Sequence, residues 1–372
     1  MRLTIERNTL LSSLGHVHSV VERRTTIPIL SNIQLEAADG VFSLTATDLD
    51  IAIIEQAEAQ VSASGATTTP AHTLYDIVRK LPDGAQVELE YSGDQNRLTL
   101  RSGRSEFSLA CLPKDDFPTM AAGEWSHEFQ LGAAELCRLI DRTRFAISTE
   151  ETRYYLNGIY IHVADVAGVG TLRAVATDGH RLARVEMPAP DGTADMPGII
   201  LPRKTVTELR KLIDDVDGAI AISLSDTKIR FEFGGVQLTS KLIDGTFPDY
   251  ERVIPAGNDK ALEVDAKVFS GAVDRVSTIS TEKSRAVKMA VGPESLVLSA
   301  TSPESGNATE ELAVSYGDDA MEIGFNSRYL LDITQQIEGD VAKFLLSDAA
   351  SPTVVLDAND DSALYVLMPM RV

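Results

Sequence analysis

Two cysteines in 372 residues, Cys111 and Cys137, cannot build a disulfide framework. Their scarcity points to a reducing compartment, the cytoplasm. No apolar run is long enough to span a bilayer. The first residues, Met1-Arg2-Leu3-Thr4-Ile5-Glu6-Arg7, alternate and carry charge, so no signal peptide is expected. Glycine-rich phosphate loops of the GxGxxG or GxxxxGK[ST] type are absent, as is a GxSxG nucleophile elbow. The six histidines (His16, His18, His72, His127, His162 and His180) show no zinc-ligand spacing, and His16 and His18 on one helix would point apart. No metal or cofactor is therefore expected. Positive charge is also short: 34 Lys and Arg against 55 Asp and Glu leave −21. Taken alone, that balance argues against nucleic acid, because phosphate binding needs gathered cations.

What is present is a repeat. Ala46-Thr47-Asp48 recurs as Ala176-Thr177-Asp178, and Phe117-Pro118 as Phe247-Pro248, both at an offset of 130 residues. Thr-Asp and Phe-Pro occur nowhere else in the chain, so the shared offset marks a duplication. Ala300-Thr301-Ser302 marks a weaker third copy. A chain of three like modules has no obvious place for a single active site, which favours a scaffold or ring over an enzyme.

Each module opens with a short strand and a helix. The helices are expected over Asn8 to Val21, Gly132 to Ile147 and Ala266 to Ile279, where Leu136, Leu139, Ile140 and Val268, Phe269, Ala272, Val273, Val276 keep helical spacing. A second helix recurs in mid-module, over Pro70 to Leu81, Pro202 to Ile213 and Asn326 to Ile337, with Pro or Asn suited to a first turn or cap. Most of the remainder alternates with a period of two. Ile220, Ile222, Leu224 and Ile229, Phe231, Phe233 flank Ser225-Asp226-Thr227-Lys228 as a hairpin. Phe107, Leu109, Cys111 and Leu364, Val366, Met368 form further alternating faces. The expected fold is α+β: about eight strands and two helices per module, with the helices on one face of antiparallel sheets. The modules are expected over 1–122, 128–252 and 259–372, with linkers over 121–128 and 255–261.

Charge follows this division. The six helical segments together carry +6, which leaves −27 on the strands and loops. Helices that share one surface could face an anion while the acidic remainder repels it. The alternative is that basic residues simply decorate solvated helix faces.

The strongest local motif is Thr177-Asp178-Gly179-His180-Arg181-Leu182. Asp178 and His180 could be an acid–base pair in a hydrolase or transferase. The simpler reading is a strand ending in a tight Asp-Gly turn, since the first copy has Asp48-Leu49-Asp50 and no histidine. Tyr154-Tyr155 could stack on a base or sugar, or begin a half-buried strand. The terminal run Tyr365 to Val372 is expected to end ladder pairing at Pro369 and leave Met370 to project, as in an adaptable binding surface.

These marks, with Ile27-Pro28-Ile29-Leu30-Ser31-Asn32, Arg153-Tyr154-Tyr155-Leu156-Asn157-Gly158, Phe247-Pro248-Asp249-Tyr250 and Met368-Pro369-Met370-Arg371, resemble the bacterial sliding clamps, the beta subunits of DNA polymerase III, over essentially the whole chain. The resemblance implies three copies of one module per chain. Two chains would close head to tail into a six-module ring, a DNA clamp fold with helices lining the hole. It implies a processivity factor rather than an enzyme: a homodimer linked to duplex DNA without sequence preference, which tethers polymerase, clamp loader and repair proteins through short extended peptides.

By the same resemblance, the peptide pocket would be walled by Leu156, Thr177, Gly179, His180, Arg181 and Leu182, continued by Pro248, Arg252 and Val253. The third module would add Asn326, Tyr329, Val366, Leu367, Met368, Pro369, Met370 and Arg371. DNA would meet Arg24, Tyr154 and Tyr155, with Arg79, Arg203, Lys204, Arg210 and Lys211 behind them. Ring closure would use Phe107 and Leu109 against the region near Ile279. Three positions depart from the family pattern. Ser284 and Ala350 replace bulkier residues and imply a more open pocket, and Glu150 puts a carboxylate where DNA would approach. An acidic protein-binding scaffold without DNA remains the alternative to the clamp.

Overall fold

The computed structural model describes residues 1–93, 95–120, 123–280 and 285–371. Among them are six α-helices: α1 (Arg7–His18), α2 (Ala71–Arg79), α3 (Ala133–Asp141), α4 (Arg203–Leu212), α5 (Ala266–Ser277) and α6 (Ser327–Thr334). Every helix expected from the sequence is present, and all strand pairings are antiparallel. Ser284 and residues 121 and 122 of the first linker lie outside the described residues.

The chain folds into two compact units that do not coincide with the repeats. One comprises Met1–Cys137, Pro190–Ala194 and Lys204–Leu242; the other comprises Arg138–Ala189, Asp195–Arg203 and Ile243–Val372. The cause is strand pairing across repeat junctions. In the first unit an eight-stranded sheet joins Ile51–Glu58 of the first copy to Val236–Lys241 of the second, with Ser240 opposite Ile51. In the second unit a nine-stranded sheet joins Arg181–Pro188 to Asp360–Leu367, with Leu367 opposite Arg181. A five-stranded sheet completes the first unit, and a four-stranded sheet completes the second.

In the first unit, α1 buries Leu10, Leu14 and Val17 on one stripe against α2 and the strands Val41–Thr47 and Ile51–Glu58. Glu6 caps it by accepting from the backbone N–H groups of Asn8 and Thr9. In the second unit, α5 buries Phe269, Ala272, Val273 and Val276 against α6 and the strands Ser295–Ser302 and Gly306–Ala313. Asp265 caps α5 through Val268 N–H at 2.8 Å, and Asn326 caps α6 through Arg328 N–H at 3.0 Å.

Two local expectations need correction, and a third is settled. The helix expected to reach Ile147 ends at Asp141: Thr143 Oγ1 donates back to the Leu139 carbonyl at 2.6 Å, and a 3-10 turn, Arg144–Ala146, follows. Of the two places expected for Pro70, first turn or cap, it takes the cap: it closes the strand Gly65–Pro70, opposite Asn32, and α2 starts one residue later. The face expected from Leu364, Val366 and Met368 does not hold. Near its end the strand is covered on both sides: Tyr365, Val366 and Leu367 are all buried, while Met368 lies past it and is exposed.

Candidate functional site

The site is built around the turn that the sequence marks most strongly. Thr177 Oγ1 accepts from Gly179 N–H at 3.1 Å and donates to the Arg181 carbonyl at 2.7 Å. Asp178 Oδ1 accepts from the backbone N–H groups of His180 at 2.9 Å and Arg181 at 3.1 Å. Gly179 sits at φ +88°, a left-handed conformation that glycine adopts without steric cost, and a Cβ there would press on the tip of Arg153, with Nη1 at 2.7 Å. The turn consumes Asp178: its second oxygen accepts from Arg181 Nε at 3.1 Å. It is a structural carboxylate, which removes the acid–base partner that a His180-based hydrolase would need.

Arg181 ties the site together. Its guanidinium is buried, pairs with Asp178 and Asp332, and donates to the Phe145 carbonyl at 2.6 Å. It also lies over the Tyr329 ring at 4.3 Å and the Phe145 ring at 5.1 Å. The turn, α6 and the 3-10 turn after α3 are thereby fixed to one another. On top, the exposed His180 ring stacks near-parallel to Tyr329, with centroids 6.4 Å apart.

Beneath the turn, Leu156, Leu182 and Val366 belong to one apolar cluster with Val175, Ile200, Phe247 and Tyr250. Pro248, Arg252 and Val253 follow Phe247 at the surface; Arg252 is held by Asp249 at 2.7 Å, and Val253 is 47% exposed. Leu367 is buried in the sheet and supports Met368, whose N–H bonds the His180 carbonyl at 2.9 Å. Asn326 spends its side-chain oxygen on capping α6. The tail does not project freely as the sequence suggested. Met370 N–H bonds the Gly324 carbonyl at 2.8 Å, and this holds the tail against the strand Met321–Asn326. A cavity of about 500 Å³ opens there, lined among others by Gly324, Ala350, Pro369, Met370 and Arg371. The exposed His180 ring on Tyr329 and the two methionines of the tail are side chains that suit a short extended peptide.

The residues expected to meet DNA fare differently. Arg24 is exposed and makes no ion pair among the described residues. Tyr154 is 55% exposed and packs edge-on to Tyr155. Arg79 pairs with Asp76 at 3.1 Å, Arg210 with Asp214 at 2.6 Å and Lys211 with Glu208 at 2.9 Å. Lys204 pairs with Asp48 and Glu22 and also reaches the Val20 carbonyl. Arg203 opens α4, its N–H bonded to the Asn157 carbonyl at 2.9 Å. The net helix charge therefore overstates free positive charge, because most of these cations have an acidic neighbour. Glu150 is itself paired with Arg153 at 3.3 Å. Phe107 and Leu109 lie on Ser105–Ala110, the edge strand of the five-stranded sheet; Ile279 follows α5, half-buried.

The sequence missed Asp332 and Phe145, which complete the Arg181 cluster. Asp332 lies 151 residues from its partner, and no local pattern links them. Among the described residues, no group of His, Cys, Asp and Glu could hold a metal. Among the same residues, no helix is long and apolar enough to cross a membrane.

Fold and site together describe an α+β protein of repeated modules, with a surface cavity beside its C-terminal tail. Three family models cover the chain in order: the N-terminal domain of the DNA polymerase III beta subunit over residues 1–121, the central domain over 130–249 and the C-terminal domain over 251–371. The chain is 56% identical to the beta sliding clamp of Caulobacter vibrioides and 40% identical to that of Escherichia coli, covering all 372 residues and all of each relative. A crystal structure of the Caulobacter crescentus clamp superimposes with a TM-score of 0.98 at 56% identity, covering all of this chain and 99% of that one. A Bartonella birtlesii clamp bound to griselimycin gives 0.97 at 53% identity, with both chains covered in full. The chain belongs to the DNA polymerase III beta subunit family, the bacterial sliding clamps.

Proposed function

We propose that two copies of this chain close into a ring around duplex DNA and act as the processivity factor of replication. The cleft around His180, Tyr329 and Met368 tethers the replicative polymerase. The clamp loader and repair proteins use the same cleft in turn. The role is a non-catalytic one, in keeping with Asp178, whose oxygens are taken by the His180 and Arg181 N–H groups and by Arg181 Nε. The DNA contact is to phosphate and weak, since most basic helix residues share their charge with an acid. The modules follow the repeat, over 1–122, 128–252 and 259–372.

The observation that carries this reading is the Arg181 cluster. It holds the turn that carries His180 against Tyr329 and Asp332 of α6, beside a buried apolar cluster that includes Leu156, Leu182 and Val366, and this supports a binding surface next to the methionine-bearing tail. The test is primer extension by the cognate polymerase on a long single-stranded circle. The intact protein is expected to lengthen products at each binding event. His180→Ala is expected to shorten them while sedimentation still reports a dimer. Unchanged product length with His180→Ala and with a chain ending at Leu367 would place polymerase binding elsewhere.

A further inference from the structure

His162 belongs to no motif of the sequence, yet the fold joins it to one wall of the cleft. It lies half-buried on the strand Gly158–Val166, directly opposite Arg173 of the strand Val169–Thr177. Two contacts connect it to the wall. Its ring stacks on Tyr160 with centroids 4.8 Å apart, and Tyr160 stacks in turn at 4.7 Å on Phe247, the residue before Pro248. Its Nε2 lies 3.0 Å from the hydroxyl of Tyr250, the buried residue that opens the 3-10 turn Tyr250–Val253. That turn carries Arg252 and Val253, and Tyr250 packs in the same apolar cluster as Leu156 and Leu182.

The hydrogen bonds run in one direction. Arg173 is buried and can only donate: its Nη1 bonds the Tyr250 hydroxyl at 3.3 Å and Glu251 at 2.5 Å, and its Nε bonds Glu186 at 2.9 Å. The hydroxyl oxygen accepts from Arg173, so its own proton points to His162 Nε2, which accepts while the ring is neutral. A proton on Nε2 turns that acceptor into a donor. Tyr250 then faces two donors, and its own proton loses its partner. Around the pair, the strand Arg181–Pro188 contributes Arg184 and Glu186, 3.7 Å apart, and the 3-10 turn contributes Glu251. Tyr160 on the ring's own strand and the neighbouring strand Ile199–Pro202 bring no charge. Burial holds the His162 value below the usual 6.5, and the charge of Arg173 lowers it further, against opposing effects of the Val163 backbone and Glu251. A lowered folded value means that the wall is undisturbed above the unfolded value and loses stability as pH falls below it.

We propose that His162 is a positioning residue for the cleft: through Tyr250 and Tyr160 it braces the wall that carries Pro248 and Val253, and its protonation releases that wall and weakens the hold on a partner. The effect on partners rests on the reading of the cleft as the polymerase site; the brace itself does not. Acid then lowers affinity from behind the wall, with no change in the side chains that meet the peptide.

The test uses the full chain labelled at valine methyl groups, followed by NMR without any partner from about pH 7.5 to about pH 5.5, together with its affinity for the cognate polymerase over the same range. The Val253 methyl signals are expected to titrate with the His162 ring, and the dissociation constant to rise about threefold or more as pH falls. His162→Gln accepts from Tyr250 but takes up no proton, and Tyr250→Phe keeps the ring in the apolar cluster without the hydroxyl. Both are expected to still the Val253 titration and flatten the affinity profile relative to the native chain. Both retain His180, so its own titration is common to all the profiles. Val253 signals that do not titrate, or that titrate equally in His162→Gln, would overturn the proposal. So would a flat native affinity profile in a protein whose polymerase binding His180→Ala still weakens. A titrating Val253 beside polymerase binding indifferent to both pH and His180→Ala would uphold the brace and remove the polymerase from the cleft.

Discussion

Single side chains divide here into those that hold the fold and those left free to bind. Arg181 is of the first kind. Replacing it with alanine strands Asp178 and Asp332 and frees the Phe145 carbonyl, so stability is expected to fall by about 3 kcal/mol, measured by urea unfolding. Arg181→Lys keeps the charge but loses the fork, and is expected to recover only part of that loss. His16 gives a pH signature. Its hydrogen bond to Glu55, 2.9 Å away, raises its value above the usual 6.5; burial opposes this, and the carboxylate's charge adds to it. A raised folded value means the contribution is complete below the unfolded value and is lost as pH rises through the folded one. Urea midpoints are therefore expected to drop as pH rises above the ordinary histidine value of 6.5, and Glu55→Gln should flatten that drop. A steeper drop in the variant would contradict the assignment.

At the scale of elements, the six helices were legible because each carries an unbroken apolar stripe and the copies confirm one another. Their ends were less legible. Thr143 bonds back to Leu139, and Arg142 is drawn to Asp360 and Glu338 some two hundred residues on, so α3 stops where the periodicity continues. The last strand defeated the alternation rule because both faces are covered near its end, and alternation marks only half-buried strands. Of the site, the repeated turn could be read from Thr-Asp alone. The Arg181–Asp332 pair could not, nor could the acids that neutralise the helix cations, because a charge count does not record which charges touch. Two changes separate framework from site. Phe269→Ala empties a fully buried place against Phe344 and is expected to cost roughly 3–5 kcal/mol by thermal unfolding. Ending the chain at Leu367 removes two tail bonds, Met368 to His180 and Met370 to Gly324, and is expected to abolish polymerase binding with little change in unfolding.

Over the whole molecule, the net charge of −21 and the duplication make sense together. A ring that must move along DNA cannot grip it, and an acidic body with mostly partnered helix cations supplies little grip. Retention must then come from closure rather than affinity. Binding to short linear duplexes is expected to be weak and to fade as salt rises, with Arg24→Glu weakening it further. The central claim is topological, and one measurement tests it directly. The protein is loaded on a closed circular duplex, separated from free chains, and followed by gel filtration before and after a single cut by a restriction enzyme. A clamp stays with the closed circle and is lost once the circle is linear. Loss at equal rates from cut and uncut DNA, or retention on the linear form without end blocks, would contradict the account.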